Sequence, residues 1–263
     1  MKIAIWSEPS GDWFAKAYAL HGHEVVRVPA YQAAALLESG EADAGLLPSL
    51  AVLRNPAIWA VSAKVALVSE EYPFMRIGIR DGLDQIRRVA FDPRYQQEIL
   101  MLRILLREHY DAEPAFVPIE PDQAASWASR MDTALLAGDG TEPKGVVSLD
   151  LGQEWLDLTI YPTVWGLMAM PKAKMNEENA RALAAILEDT HPLVIPQNEA
   201  QEVFWETSFS PKLDDFALAG FFATVELFFA NTVLDEIPEV PFYVYEEAES
   251  ETDDEEDDEH EHS

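Results

Sequence analysis

Four short loops carry polar side chains where predicted strands end, and they hold the residues best suited to chemistry. They are residues 7–12, 48–49, 92–97 and 138–139. In α/β sheets ligands bind at the carboxyl ends of strands, so such loops face one another across a cleft. Each loop alone also fits an ordinary helix cap or turn. Together they predict a binding cleft for a small polar molecule.

The third of these loops predicts an anion site. Residues 88–118 read as a strand, a helix and a second strand, with Asp92 capping the helix and Pro93 in its first position. The N–H groups and the dipole of a helix start favour a carboxylate or a phosphate. Arg94 lies in the predicted first turn, where it would add a positive charge.

No motif in the sequence indicates a nucleotide site or a catalytic triad. His21 and His23 flank Gly22 after a predicted helix, where they either bind a metal ion or simply end the helix, and we favour the second interpretation. The chain has no Cys, which excludes disulfides, zinc–thiolate sites and iron–sulfur clusters. We therefore predict no metal site and no cofactor.

The elements that must position the four loops alternate between strand and helix. The first strands are predicted over 2–6, 24–28 and 44–47, with helices over 13–20 and 31–39 between them. Later strands are predicted over 61–68, 76–80, 89–91, 133–137, 146–149 and 163–170, and later helices over 123–129, 177–189, 199–208 and 214–232. Connections too long for hairpins predict an α/β fold with mostly parallel strands.

Composition limits the partners. The 263 residues carry a formal net charge of −30, and residues 246–263 hold 12 acidic and no basic side chains, which leaves −18 on the rest. This charge opposes binding to nucleic acid and to anionic membranes, and it would also suit a high-salt cytoplasm. We expect a cytoplasmic protein without membrane insertion, because no long apolar run and no signal peptide is evident. The acidic tail, residues 246–263, is predicted to be disordered.

Five segments resemble the menaquinone biosynthesis proteins of the futalosine route, which include chorismate dehydratase and dihydroxynaphthoate synthase. The segments are GEADAGLLPSLAVL (40–53), VAFDPRYQQEILMLRILLREHY (89–110), DTALLAGD (132–139), DLGQEWLDLTIYPTVWGLMA (150–169) and PEVPFY (238–243). The resemblance implies a two-lobed, type II periplasmic-binding-protein fold. Lobe one would comprise residues 1–80 plus 166–245, and lobe two residues 81–165.

Both ligand loops depart from the pattern of the dehydratase branch. That branch has S-Y-L-N where this chain has SEPS (7–10), and D-x-x-S-R-T-S where this chain has DPRYQQ (92–97). Through Ser7, Asp12 and Phe14, the first loop is slightly closer to the S-P-x-P-N-D-T-F pattern of the naphthoate synthase branch. The residues that match the family's pattern are Ser49, Gly138, Asp139 and Pro162.

The resemblance implies a lyase like chorismate dehydratase, which removes water from chorismate to give 3-enolpyruvylbenzoate. The implied ligand is a small aromatic or cyclic carboxylate. The residues assigned to catalysis are Ser7, Ser49 and Asp139. Those assigned to substrate binding are Asp12, Pro48, Arg94, Tyr95, Gln96, Gly138 and Pro162.

The substituted loops keep a second hypothesis open, because they lack hydroxyl groups that would help to hold substrate carboxylates. Under this hypothesis the chain is a non-catalytic, cytoplasmic protein that binds or senses a small carboxylate. A third hypothesis, a secreted transport receptor, is disfavoured because no signal peptide is evident.

Overall fold

The computed structural model describes residues 1–80, 82, 86–120, 127, 130–141, 145–189 and 193–245. Within these residues the strands are β1 (Lys2–Trp6), β2 (Glu24–Val28), β3 (Ala44–Pro48), β4 (Trp59–Ser69), β5 (Met75–Ile79), β6 (Arg88–Phe91), β7 (Ala115–Pro118), β8 (Thr133–Ala137), β9 (Val147–Asp150), β10 (Thr163–Pro171), β11 (Phe209–Lys212) and β12 (Phe242–Tyr243). The α-helices are α1 (Asp12–Leu20), α2 (Ala33–Glu38), α3 (Ser49–Arg54), α4 (Gln96–Glu108), α5 (Leu151–Thr159), α6 (Glu177–Ala184), α7 (Glu199–Val203) and α8 (Asp215–Ala230).

The first sheet has the strand order β11-β4-β10-β3-β1-β2, with β12 paired to β4. Strand β1 runs parallel to both β2 and β3, because α1 and α2 cross over between them. Strand β10 lies between β3 and β4 and is antiparallel to both. The carboxyl ends of β1, β2 and β3 therefore lie at one edge of this sheet.

The second sheet has the strand order β7-β6-β8-β5-β9. Strand β6 is parallel to β7 and β8, whereas β5 is antiparallel to β8 and β9. The predicted α/β fold with two lobes is confirmed. Each sheet is mixed rather than mostly parallel. The antiparallel pairs involve β4 and β10 in the first sheet and β5 and β9 in the second, which are the strands where the chain passes between the sheets.

The chain passes from the first sheet to the second between Ser69 and Met75, and it returns between Asp150 and Thr163. A lobe boundary at residue 80 assigns β5 to lobe one, whereas β5 pairs in the second sheet. A boundary at residue 165 assigns the start of β10 to lobe two, whereas β10 pairs in the first. Hydrophobic pattern shows that a segment is a strand, but it does not show which sheet the strand joins.

The start of α4 differs from its prediction. Asp92 does not cap the helix: its Oδ1 accepts a hydrogen bond from the Arg94 backbone N–H at 3.0 Å and closes a turn. The helix begins only at Gln96, after Tyr95. The predicted helix over 123–129 lies, except for Trp127, outside the described residues, as does the tail 246–263.

Helix α8 packs closely on the segment that leads into β10, and Gly220 permits this approach. A Cβ at Gly220 would lie 2.2 Å from the backbone oxygen of Pro162. We therefore expect Gly220→Ala to lower the free energy of unfolding by about 1–3 kcal/mol through overpacking, although Ala is the better helix former by about 1 kcal/mol. Urea denaturation would measure this loss.

The matched control for this prediction is Gly138→Ala, since a Cβ at Gly138 meets no atom within 4 Å. Equal stabilities of the two variants would contradict a close contact between α8 and Pro162.

Candidate functional site

A cleft lies between the two sheets, at the carboxyl ends of their parallel strands. It consists of two adjoining cavities of about 240 and 200 Å³, which share Glu8, Ala30, Tyr95 and Glu98 in their walls. Glu8 and Ala30 follow β1 and β2 of the first sheet, whereas Tyr95 and Glu98 stand at the start of α4 on the second. We call these two cavities the interlobe cleft.

Five aromatic side chains line the interlobe cleft. Tyr31 and Tyr95 line the first cavity, and Trp6, Tyr72 and Phe74 join Tyr95 around the second. Burial raises the pKa of the Tyr95 hydroxyl to about 12, so this group stays protonated at neutral pH. Aromatic walls with a few polar groups suit a small ligand with a ring.

Two carboxyl groups, Glu8 and Glu98, line both cavities. Burial raises the pKa of Glu98 from its ordinary 4.5 to about 7, and the negative charge of Glu8 contributes to the same shift. The Glu8 carboxylate accepts hydrogen bonds from the Ala30 backbone N–H at 3.2 and 3.3 Å. The cleft therefore holds two carboxyl groups, and the pKa of one of them, Glu98, lies near neutral pH.

The raised pKa of Glu98 predicts that stability falls as the pH rises. The unfolded chain releases this proton near pH 4.5 and the folded chain only near pH 7, so the stabilisation is complete below pH 4.5 and lost on passing pH 7. The free energy of unfolding of Glu98→Gln should increase relative to that of the unchanged protein as the pH rises. We expect this increase to be roughly 2–3 kcal/mol between pH 4.5 and pH 8. Urea denaturation at several pH values measures this difference.

Glu178→Gln is the control for the pH prediction, because Glu178 is exposed on α6. If the two variants follow the same pH dependence, the Glu98 pKa is not raised by the cleft.

Arg94 lines the first cavity, but it already has a partner within the chain. Its Nε lies 2.9 Å and its Nη2 2.5 Å from Asp92 Oδ2. The hydrogen bonds that Arg94 donates to Asp92 raise the pKa of its guanidinium further above its already high value. The predicted anion site is thus partly satisfied by a carboxylate of the same loop.

Gln96 also lines this cavity, and its Oε1 accepts a hydrogen bond from Arg54 Nη1 at 3.0 Å.

Gln97 joins the two lobes, a role that the sequence did not indicate. Its Oε1 accepts a hydrogen bond from the Leu50 N–H at 2.8 Å, and its Nε2 donates to the Trp165 carbonyl at 2.9 Å. Pro48 lines the cleft next to this contact. Ser49 is buried, and its hydroxyl donates to the Val164 carbonyl at 2.6 Å rather than facing the cavity.

Gly138 lines the second cavity, at the end of β8, whereas the Asp139 side chain is exposed. Oδ1 of Asp139 accepts a hydrogen bond from the Thr141 backbone N–H at 2.9 Å. The carbonyl of Asp139 accepts hydrogen bonds from Nδ2 of Asn198 and from Nε2 of Gln201, at 3.1 and 2.5 Å. Asp139 therefore contributes to a second contact between the lobes.

Besides Ser49 and Asp139, three more predicted site residues lie away from the walls of the interlobe cleft. Ser7 is exposed, and its backbone N–H donates to the Val28 carbonyl at 2.8 Å. Asp12 forms an ion pair with Arg27 at 2.6 Å, and Pro162 is buried beside Gly220 of α8. The structure thus brings together Pro48, Arg94, Tyr95, Gln96 and Gly138, and it adds Glu8, Gln97 and Glu98.

The sequence only weakly indicates the three cleft residues that were not predicted, Glu8, Gln97 and Glu98. Polar Glu98 precedes buried Ile99 on α4, and Gln97 before it is buried as well, so this first turn faces the protein on more than one side. Among the described residues no group of three or more His, Asp or Glu side chains is placed to hold a metal ion. No helix in the described part of the chain has both the length and the apolar character of a membrane span.

Solved structures with the same fold include binding proteins. Protein AF1704 from Archaeoglobus fulgidus is 16% identical with a TM-score of 0.68, over 89% of this chain and 98% of that one. The aliphatic sulphonate binding protein of the Escherichia coli periplasm is 14% identical with a TM-score of 0.57, over 91% and 94%. A Candida albicans protein with the generic periplasmic binding protein fold is 14% identical with a TM-score of 0.57, over 90% and 91%. These structures confirm the periplasmic-binding-protein fold.

Sequence comparison supplies the family. No curated protein sequence matches the chain significantly. The family model described as menaquinone biosynthesis matches residues 2–193, which include the second sheet, the strands β1–β4 and β10 of the first sheet, and the interlobe cleft. The chain therefore belongs to the menaquinone biosynthesis family.

Proposed function

We propose that the protein is a lyase of the chorismate dehydratase type that acts in menaquinone biosynthesis and uses the interlobe cleft. The observation that carries this proposal is the pair Glu8 and Glu98, whose carboxyl groups line the same cleft, with the pKa of Glu98 raised by burial to about 7. A carboxyl group with a pKa near the working pH can act as a general acid, and a second carboxyl group beside it can accept a proton.

The reaction removes one proton and one hydroxyl group from neighbouring ring carbons. The Glu8 carboxylate would accept the proton from carbon, and the electrons of that C–H bond would form the new ring double bond. The C–O bond would break with its electrons on oxygen, and Glu98 would donate a proton so that water departs. The aromatic ring that results provides the driving force.

The ring needs to be held while the protons move. Tyr95 and Tyr31 supply flat apolar surface, and Arg54 and Arg94 line the same cavity. A guanidinium has five N–H donors, and the bonds from Arg94 to Asp92 use its Nε and Nη2 edge. Arg94 also has a hydrogen bond with Tyr31, and we assign its remaining donors to a substrate carboxylate.

A second candidate function is non-catalytic binding, and one observation favours it. Polar groups of the predicted ligand loops are bonded within the chain: the Gln97 amide accepts from the Leu50 N–H, and the Ser49 hydroxyl donates to the Val164 carbonyl. A cleft with two carboxyl groups also repels a dianion more strongly than one without them. The protein would then hold a small ring compound without converting it.

One experiment separates the two candidates. Purified protein is incubated with chorismate while the ultraviolet spectrum is followed, and thermal unfolding is recorded in parallel with and without chorismate. Conversion to an aromatic product supports the lyase. A higher melting temperature without conversion supports the binding protein, and the absence of both effects contradicts both candidates. The cytoplasmic location stays a prediction.

A further inference from the structure

A second cavity, of about 460 Å³, lies outside the interlobe cleft and is lined by three arginines. Arg54 ends α3, and Arg103 and Arg107 lie one turn apart on α4. The other lining residues used below are Phe116 of β7 and Glu113 just before that strand. We call this cavity the arginine pocket.

The concentration of positive charge is unusual for this chain. The whole protein has 18 Lys and Arg against 48 Asp and Glu, yet Glu113 is the single carboxylate among the lining residues described for this pocket. Like charges at i and i+4 on a helix, as at Arg103 and Arg107, repel one another by a few tenths of a kcal/mol. A bound anion would remove that repulsion and gain from all three guanidinium groups.

The arginines are held in place, which favours a preformed site. The Arg103 guanidinium carbon lies 5.0 Å from the centre of the Phe116 ring, in a cation–π contact. Arg107 donates to Glu108 Oε1 from Nε at 3.1 Å and from Nη2 at 2.9 Å, and Arg54 Nη1 donates to Gln96 at 3.0 Å. Each guanidinium has five donors, so these contacts leave the pocket with donors for a ligand.

The pocket also joins elements from both sheets. Arg54 and the turn Asn231–Val233 belong to the lobe of the first sheet, whereas Arg103 and Arg107 belong to the lobe of the second. Arg54 lines the interlobe cleft as well. A ligand held here therefore contacts both lobes and a residue of the cleft without entering the cleft.

We propose that the arginine pocket binds a small organic molecule with at least two phosphate or carboxylate groups. Arginine is the side chain that pairs with both of these groups through two parallel hydrogen bonds. The volume exceeds what one inorganic ion needs, and Phe116 with Leu100 and Ile104 provides an apolar wall for the body of the molecule. This site does not depend on the reaction proposed for the cleft.

Calorimetric titration of the full chain, at constant ionic strength, tests the proposal with pyrophosphate and citrate as probes. We expect saturable binding of at least one probe, and the double variant Arg103→Gln, Arg107→Gln should weaken it about tenfold or more. Binding of pyrophosphate alone assigns the pocket to phosphates, and binding of citrate alone assigns it to carboxylates.

The matched control is Arg87→Gln, Arg88→Gln, which removes the same charge from two exposed arginines elsewhere in the same lobe. A second variant, Arg103→Lys, Arg107→Lys, retains the charge and should bind with intermediate affinity, because lysine lacks the paired donors. Circular dichroism melts verify that each variant is folded. The absence of saturable binding by either probe, or equal weakening in the control, would overturn the proposal.

Discussion

Replacing Glu98 with Gln is expected to lower the rate of chorismate conversion by roughly 100- to 10,000-fold, the range for loss of a general acid. Gln has nearly the same shape as Glu, but it has no proton to donate to the departing hydroxyl group. Because Glu98 has a pKa of about 7, the rate of the unchanged protein should also fall as the pH rises beyond that value. Initial rates between pH 5 and pH 9 measure both effects.

The control for this variant is a measurement of binding. Chorismate should raise the melting temperature of Glu98→Gln at least as much as that of the unchanged protein, since Gln carries no charge, like the protonated form of Glu98. Glu178→Gln, on an exposed face of α6, should keep the full rate. A Glu98→Gln protein that converts chorismate at the full rate would exclude Glu98 as the acid.

Replacing Trp165 with Ala is expected to lower the free energy of unfolding by about 3–5 kcal/mol, the usual cost of removing a buried Trp. Trp165 is completely buried on β10, and its ring stacks on Tyr72 with the centroids 4.0 Å apart. Its Nε1 donates to the Ser69 hydroxyl at 2.8 Å, so the substitution also leaves a buried hydroxyl without this partner. Urea denaturation gives the value.

The partner variant is Trp165→Phe, which keeps an aromatic ring for Tyr72 but removes the donor to Ser69. We expect its stability to lie between that of Trp165→Ala and that of the unchanged protein. A loss below about 1 kcal/mol in Trp165→Ala would indicate that this junction of the two lobes repacks with ease. The carbonyl of Trp165 would still be available to Gln97 in both variants.

The sequence predicted which residues lie at the ends of strands, but it did not predict the hydrogen-bond partners of their side chains. Pro48, Tyr95 and Gly138 line the interlobe cleft as expected, because each follows a strand whose carboxyl end faces the other lobe. Ser49 belongs to one of the same loops, yet its hydroxyl is bonded to the Val164 carbonyl. The direction of a side chain within a loop depends on neighbours that are distant in the chain.

The sequence by itself determined most strands and helices, the loops at strand ends that meet at the cleft, and membership in the menaquinone biosynthesis family, but it did not predict α3, α5 or β11. These follow from periodicities of two to four residues and from short segments in a fixed order, which are local properties. Strands β1 and β2 and helix α1, for example, lie within one residue of their predicted limits.

Only the tertiary structure decided which groups of the cleft are available and which are already bonded. Gln97 accepts a hydrogen bond from the Leu50 N–H, and the charge of Glu8 raises the pKa of Glu98. Both contacts exist because the two lobes pack together residues that are far apart in the chain. The pKa of Glu98 depends on that burial and on that neighbouring charge, and neither quantity is encoded in the spacing of residues along α4. The same holds for the arginine pocket, where α3 approaches α4 from the other lobe.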